Sequence, residues 1–374
     1  MSDTTLRRTP LFEMHRRAGA KMIDFGGWEM PVQYSGIVAE HRQVRESAGM
    51  FDVSHMGRVF VSGRDAGEFL QLLVTNDAGS LAPLHAIYTL ICNRAGGVRD
   101  DVIVSRLGET QYMVVPNASN REKVLEWIGE LLTGFHEGSA DVEVTDRTTE
   151  TVMVALQGPR AQEVLQSLVE VDLSKVSFFG LARTRVGGAE AIVSRTGYTG
   201  EDGFEVILPN EAGVELWSRL LESEPTNSIR PAGLGARDTL RIEAGFPLYG
   251  HELAEDINPI EAGLARFVRR DGADFVGGEA LERIAHDGPA RRLAGLEVTD
   301  GAIARPGTVV QAGGKDVGYV SSGTFSPTLG RSIAMAFVAP EVADSRPPLG
   351  VVVRGNTHPS QVVDLPFFRR RKRK

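Results

Sequence analysis

The apolar positions fall into two regimes. Up to about residue 286, short β-branched runs alternate with stretches at helical spacing. Beyond Asp287-Gly288-Pro289 only short apolar runs separated by Gly, Pro and Asn remain. The clearest pattern is Ile87–Arg106, I-Y-T-L-I-C-N-R-A-G-G-V-R-D-D-V-I-V-S-R. Two apolar runs flank Ala95-Gly96-Gly97, and glycine supplies positive φ without a Cβ clash, so the segment predicts a β-hairpin. Two carboxylates, Asp100 and Asp101, follow the turn. Alternation along a strand puts Asp100 with Val98, Val102 and Val104, and Asp101 with Arg99, Ile103 and Ser105. Val102-Ile103-Val104 reads as a strand covered on both faces. On that reading at least one aspartate enters a semi-buried space, where a carboxylate needs a partner. The alternative, equally open, is that both cap the turn and face water.

Around this hairpin the chain punctuates itself. Residues 9–56 are dense in Gly, Met and aromatics and predict irregular connections with short strands rather than one helix. Arg58–Ser62 predicts a strand and Arg64–Leu73 a short amphipathic helix carrying Phe69, Leu70 and Leu73. Tyr112–Val115 predicts a strand. Ser119 and Glu122 then form an S-x-x-E capping box that opens a helix with the stripe Val124, Ile128 and Leu131. Val152–Leu156 predicts a strand, and Gly158-Pro159 the start of a helix carrying Val164, Leu165 and Leu168. Leu181–Val186 and Ala189–Arg195 pair across Gly187-Gly188. The following T-G-Y-T-G-E-D-G resembles a nucleotide loop in its glycine spacing, but it runs into the strand Phe204–Leu208, whereas a dinucleotide loop opens a helix. Glu205, flanked by apolar residues on that strand, either meets a partner or faces solvent on a one-sided sheet. After Pro231 a Gly-rich approach leads into a helix with Arg237 and Arg241 four apart. These suit a planar carboxylate or an intrahelical network with Asp238 and Glu243. Past residue 287, runs at Leu293–Val298, Thr308–Gln311, Val317–Ser321, Ser332–Val338 and Val351–Arg354, with a turn at Gly313-Gly314, predict an all-β barrel or sandwich.

Composition narrows the function classes. A chain of 374 residues favours two or three domains, and its net charge of -8 gives no reason to expect nucleic acid binding. The exception is Arg369-Arg370-Arg371-Lys372-Arg373-Lys374, which reads as a solvated end or a basic arm. The single cysteine, Cys92, fits a reducing compartment and a small buried hydrophobe. No apolar run is long enough to span a bilayer, and the N-terminus lacks a signal core, so the cytoplasm is the default and no membrane partner is expected. The histidines show no metal-ligand spacing, and Walker and G-x-S-x-G motifs are absent. Asp52, Ser54 and His55 are too close in one extended run to converge as a catalytic triad. What remains is carboxylates, arginine and tyrosines around glycine turns. That set suits binding of a polar aromatic ligand and management of one proton.

Six motifs in order then show a resemblance: F-D-V-S-H-M-G at 51–57, A-I-Y at 86–88, G-G-V-R-D-D at 96–101, S-R-T-G-Y-T-G-E-D-G-F-E at 194–205, G-L-G-A-R-D at 233–238 and S-G-T-F-S-P-T-L-G at 322–330. The chain resembles the glycine cleavage T-protein family, the aminomethyltransferases, over nearly its whole length. The resemblance implies an α+β fold, a three-lobed cloverleaf of mostly antiparallel sheets with flanking helices and a C-terminal β-barrel or jelly-roll-like domain. It implies residues 1–286 as a folate-binding region of two interleaved lobes, the second roughly 57–140, and 287–374 as the barrel. It implies transfer of a one-carbon unit from an aminomethyl group on the lipoyl arm of H-protein to tetrahydrofolate, a co-substrate, with no metal. The products are 5,10-methylenetetrahydrofolate, ammonia and dihydrolipoyl H-protein. Carried over residue by residue, Asp101 is the key acid, and Met56, Tyr88, Asp101, Asn117, Tyr198, Glu205 and Arg237 line the folate site. Arg237 is left to pair with Asp101 or with a folate carboxylate. A folate-dependent demethylase acting on a small methylated compound is the alternative activity. The K-G-C-Y-x-G-Q-E signature of the non-enzymatic relatives is absent.

Overall fold

Alternating apolar positions and glycine turns produce a chain dominated by antiparallel strands, with helices laid over them. The computed structural model describes residues 5–222, 229–269 and 274–370. The chain divides into two compact units. The first is drawn from Met1–Leu70, Ala78–Tyr88 and Val102–Arg237, the second from Gln71–Asp77, Thr89–Asp101 and Asp238–Lys374. Residues 1–4 of the N-terminal stretch and 371–374 of the basic tail lie outside the described residues.

The elements of the first half are α1 (Phe12–Arg17), β1 (Lys21–Phe25), β2 (Trp28–Gln33), α2 (Ile37–Glu46), β3 (Gly49–Asp52), β4 (Val59–Ser62), α3 (Ala66–Leu73), β5 (His85–Cys92), β6 (Val98–Arg106), β7 (Gln111–Val115), α4 (Arg121–Gly134) and β8 (Glu143–Asp146). Then come β9 (Thr151–Gln157), α5 (Ala161–Gln166), β10 (Leu181–Val186), β11 (Ala189–Ser194), β12 (Gly203–Pro209), α6 (Asn210–Glu222), β13 (Arg230–Pro231) and α7 (Leu234–Glu243). The barrel region adds α8 (Gly278–Asp287), β14 (Arg292–Val298), β15 (Val309–Ala312), β16 (Lys315–Ser326), β17 (Arg331–Val338), α9 (Pro340–Ser345), β18 (Leu349–Val353) and β19 (Asn356–Val363).

In the first unit, one sheet has the order β10-β11-β12-β9-β3-β13. Its central strands β9 and β12 are buried along almost their whole length. Helix α6 lays Leu216, Trp217 and Leu220 against this core, with Phe204, Val206 and Leu208 of β12 in the same cluster. Burying such a face is worth about 1.5–3 kcal/mol per large side chain. The second sheet, β5-β6-β7-β4-β8, contains the central hairpin, whose tip Thr89–Asp101 groups with the second unit. The second unit ends in a closed antiparallel barrel of order β14-β17-β16-β15-β18-β19, with its own core around Leu296, Val310, Val320 and Ala336. The mixed α+β class and the C-terminal barrel agree with the sequence expectation, and closure decides for a barrel over a sandwich.

Several local expectations are corrected. Burial alternates along β6 rather than covering both faces: Val98, Asp100, Val102 and Val104 are buried while Arg99, Asp101 and Ile103 are half-buried. The stretch 9–56 contains the ten-residue helix α2. It forms because the buried Glu40 turns its carboxylate onto the helix entrance, where Oε1 accepts from the Tyr34 N–H at 2.6 Å and the Gly36 N–H at 2.9 Å. The capping box at α4 does not form: Asn120 is the N-cap residue without a side-chain cap bond, and Glu122 is drawn to Arg7 instead. Pro159 precedes α5 rather than sitting in its first turn, and Leu168 lies beyond its end. Strand β19 was not anticipated, because N-T-H-P-S-Q carries no apolar alternation. It is held by pairing with β14 and β18, which closes the barrel.

A candidate ligand site in the first unit

Strand β12 carries Glu205 in register with Ser194 of β11 on one side and Ala155 of β9 on the other. The carboxylate is 9% exposed and accepts a hydrogen bond from Thr196 Oγ1. Thr196 in turn meets Ser194 Oγ at 2.9 Å. The loop between β11 and β12 is fixed from below by the buried Gln157. Its Nε2 donates to Thr196 O at 3.0 Å and its Oε1 accepts from Thr199 Oγ1 at 2.9 Å. Glycine is required where β12 begins, since a Cβ at Gly203 would sit 2.3 Å from Leu156 O. Arg45 closes the outer side, donating to Thr199 O at 2.7 Å and pairing with Glu201 at 3.0 Å. Tyr198 is thus presented from a rigid loop.

Arg237, in the first turns of α7, lays its guanidinium 4.8 Å from the centre of the Tyr198 ring. Burial pulls its pKa down, while the nearby Glu205 carboxylate and Tyr198 act in the opposite sense. Its Nη1 is buried and without a hydrogen-bond partner among the described residues. An orphaned buried donor is rare and costly in a folded chain.

The turn after β3 is braced by buried polar groups. Asp52 Oδ1 accepts from the Ser54 N–H at 2.9 Å, an Asx turn. The fully buried Arg58 donates from Nη1 to Ser54 O at 2.7 Å and to Met56 O, and from Nη2 to Thr148 O and to Thr151 O at 2.6 Å. The Gly57 N–H donates to Pro116 O at 2.8 Å, which ties this turn to the residue before Asn117. Behind it, Asp52 Oδ2 accepts from Thr9 Oγ1 at 2.6 Å and contacts His15 Nε2 at 2.9 Å, while His15 Nδ1 meets the Tyr34 hydroxyl at 2.9 Å. Hydrogen bonds from His15, Ser54 and Thr9 hold the Asp52 pKa at about 2, although burial alone would raise it. Burial, with Asp52 and Glu40 close by, pushes the Tyr34 hydroxyl well above the ordinary tyrosine value. Asp52 therefore pairs with His15, and no triad with Ser54 and His55 forms.

Of the seven residues expected to line a folate site, Met56, Tyr88, Asp101, Asn117, Tyr198 and Arg237 are half-buried and Glu205 is buried. Tyr198, Glu205 and Arg237 are brought together directly. Asp101, on β6, occupies the partly open face, whereas Asp100 is wholly buried. Residues that the sequence reading passed over are Gln157 and Thr196, which set the loop, and Arg58, which clamps the turn. The D-x-S spacing at 52–54 is the one local signal that points to this turn. Among the described residues, no group of three or more His, Cys, Asp or Glu is placed to hold a metal ion. No described helix is long and apolar enough to cross a membrane.

Comparison with known proteins shows the family. The family model of the GCVT N-terminal domain matches residues 11–272, and that of the glycine cleavage T-protein C-terminal barrel domain matches 291–369. An aminomethyltransferase of Desulfitobacterium hafniense (strain DSM 10664 / DCB-2) is 45% identical over 367 residues, covering 98% of this chain and 99% of the relative. One from Geobacillus kaustophilus (strain HTA426) is 48% identical over 369 residues, covering 98% and 100%. The crystal structure of glycine cleavage system aminomethyltransferase T from Bartonella henselae matches with a TM-score of 0.90 at 34% identity, covering 97% of this chain and 98% of that one. A mixed α+β body followed by a closed barrel, matched over the full length, is the architecture of a one-carbon transferase. The chain belongs to the glycine cleavage T-protein family, the aminomethyltransferases, and is an enzyme of that class.

Proposed function

We propose that the enzyme takes the aminomethyl group carried as a thioether on the lipoyl arm of H-protein and transfers its carbon to tetrahydrofolate. Nitrogen leaves as ammonia, the sulfur returns as the dihydrolipoyl thiol, and the carbon is left as 5,10-methylenetetrahydrofolate. The observation that carries this reading is the cluster of Glu205, Arg237 and Tyr198, with a buried guanidinium nitrogen lacking a partner. A reduced pterin offers an amidine-like pair of donors to an acceptor such as Glu205, and its carbonyl oxygen suits an unmet donor such as Arg237 Nη1. Tyr88 and Tyr198 supply aromatic faces, Asn117 a donor and an acceptor, and Met56 an adaptable apolar contact. The residues present fit the ligand.

Asp101 takes the role of the acid. Asp101 is half-buried on β6. There it stabilises positive charge developing on nitrogen as ammonia departs and holds the reacting nitrogen in place, a positional and electrostatic contribution. The same reading places the enzyme in the cytoplasm and divides it into residues 1–286, with an inner lobe at roughly 57–140, and a barrel at 287–374. The test is a reconstituted assay with lipoylated H-protein, following ammonia release with and without tetrahydrofolate. Release that depends on both supports the assignment. Turnover of a small methylated amine without H-protein would make the enzyme a demethylase instead.

A further inference from the structure

His55 stands between the two arms of the turn clamp and belongs to none of the roles above. Its side chain is 3% exposed. Its backbone is held on both sides: the Ser54 N–H by Asp52, and the Ser54 and Met56 carbonyls by Arg58. The ring meets the half-exposed Phe25 edge to face, with centroids 5.7 Å apart. Its Nδ1 is buried and has no hydrogen-bond partner among the described residues. Arg237, whose Nη1 is in the same condition, lies near enough for its charge to act on the imidazole. Two unmet buried polar atoms, one on a clamped turn and one on a helix, thus accompany the Glu205 and Tyr198 cluster. An unmade buried hydrogen bond costs more than none, so the imidazole is a net cost to the ligand-free protein.

We infer that His55 is a binding residue of the tetrahydrofolate pocket, its Nδ1 making a hydrogen bond to the bound pterin beside Arg237. The inference rests on the folate reading of this site. The imidazole is neutral at physiological pH, since burial together with the Arg237 and Arg58 cations outweighs the pull of Asp52. A neutral ring contributes one directed hydrogen bond without adding a charge to a pocket that already holds a carboxylate and a guanidinium.

The test uses the full chain and isosteres of the two ring nitrogens. An asparagine amide reproduces the Nδ1 position, a glutamine amide reproduces Nε2, and leucine removes both. Tetrahydrofolate affinity is measured by calorimetry, and ligand-free stability by thermal unfolding. H55L is expected to weaken tetrahydrofolate binding by about tenfold or more while leaving the ligand-free melting temperature equal or higher. H55N is expected to stay within about threefold of the parent, and H55Q to behave like H55L. Those opposite movements of affinity and stability are what a merely structural histidine would not produce. Parent protein that binds tetrahydrofolate, with an H55L variant of equal affinity, overturns this inference alone. So do variants whose affinity falls only in step with melting temperature. Parent protein that binds no tetrahydrofolate overturns the reading of the site and this inference with it.

Discussion

Asp52 and His55 are three residues apart, yet burial acts on them with different outcomes. Asp52 is satisfied by Thr9, His15 and the Ser54 N–H, and its carboxyl sits at about 2. Its folded pKa lies below the unfolded value of about 3.9, so its stabilisation is complete above pH 4 and is lost as pH falls toward 2. His55 is unsatisfied and sits at about 4, below its unfolded value of about 6.5. The neutral ring is therefore favoured in the folded state, and stability drains away as pH falls from about 6.5 to 4. The expected outcome is a loss of stability in two stages as pH falls, about 3 kcal/mol through the upper and about 2–3 kcal/mol through the lower. A leucine at 55 removes the upper stage and leaves the lower one, as thermal melts across pH 2–7 would show. At the carboxylate proposed as the acid, Asp101→Asn is expected to retain tetrahydrofolate binding and lose about 10²–10³-fold in turnover, the usual cost of removing an electrostatic stabiliser. An equal loss of affinity and rate would make Asp101 a binding group instead.

The central hairpin depends on how closely its turn is approached. Gly96 adopts φ +87°, and at Gly97 a Cβ would lie 1.8 Å from Glu255 O, which no side-chain adjustment relieves. Asn93 braces the same turn, its Oδ1 accepting from the N–H groups of Ala95 and Gly97 at 3.0 Å. Gly97→Ala should therefore cost about 1–3 kcal/mol in thermal unfolding and displace the start of β6, so that turnover falls with it. A variant as stable as the parent would show the turn to be free to move. The position of this hairpin was legible in the sequence, because β-branched runs and paired glycines act within a few residues. The side of β6 that each aspartate takes was not. Val102-Ile103-Val104 is apolar at every position, and only the packed sheet reveals that Asp100 goes inward while Asp101 stays on the open face. The same limit explains α2, whose entrance is capped by Glu40 four residues after Gly36, a contact that no apolar stripe announces.

Binding at this site should register in the molecule as a whole. Tetrahydrofolate at about one hundred times its dissociation constant stabilises the folded form by about 2.7 kcal/mol if it avoids the unfolded chain. The melting temperature should rise accordingly, and a ligand that leaves it unmoved does not bind here. The enzyme carries a net charge of -8 but ends in six consecutive basic residues, Arg369–Lys374. On the proposed role, this basic tail steers an acidic surface of the H-protein. Removing it should raise the apparent KM for H-protein, more at low ionic strength than at high, as initial rates at two salt concentrations would record.

Sequence by itself determined the hairpins, most barrel strands, the family and the identities of the residues proposed to meet the ligand. Each of those is written in local periodicity, turn chemistry or motif. Tertiary structure decided which partners those residues keep. It gave Asp52 to His15 rather than to His55, stapled the 54–56 turn to Thr148 and Thr151 through Arg58, and closed the barrel with the polar strand Asn356–Val363. Those choices join positions tens of residues apart. They depend on where the folded chain returns and on which buried polar atoms it leaves without a partner, neither of which a local pattern carries.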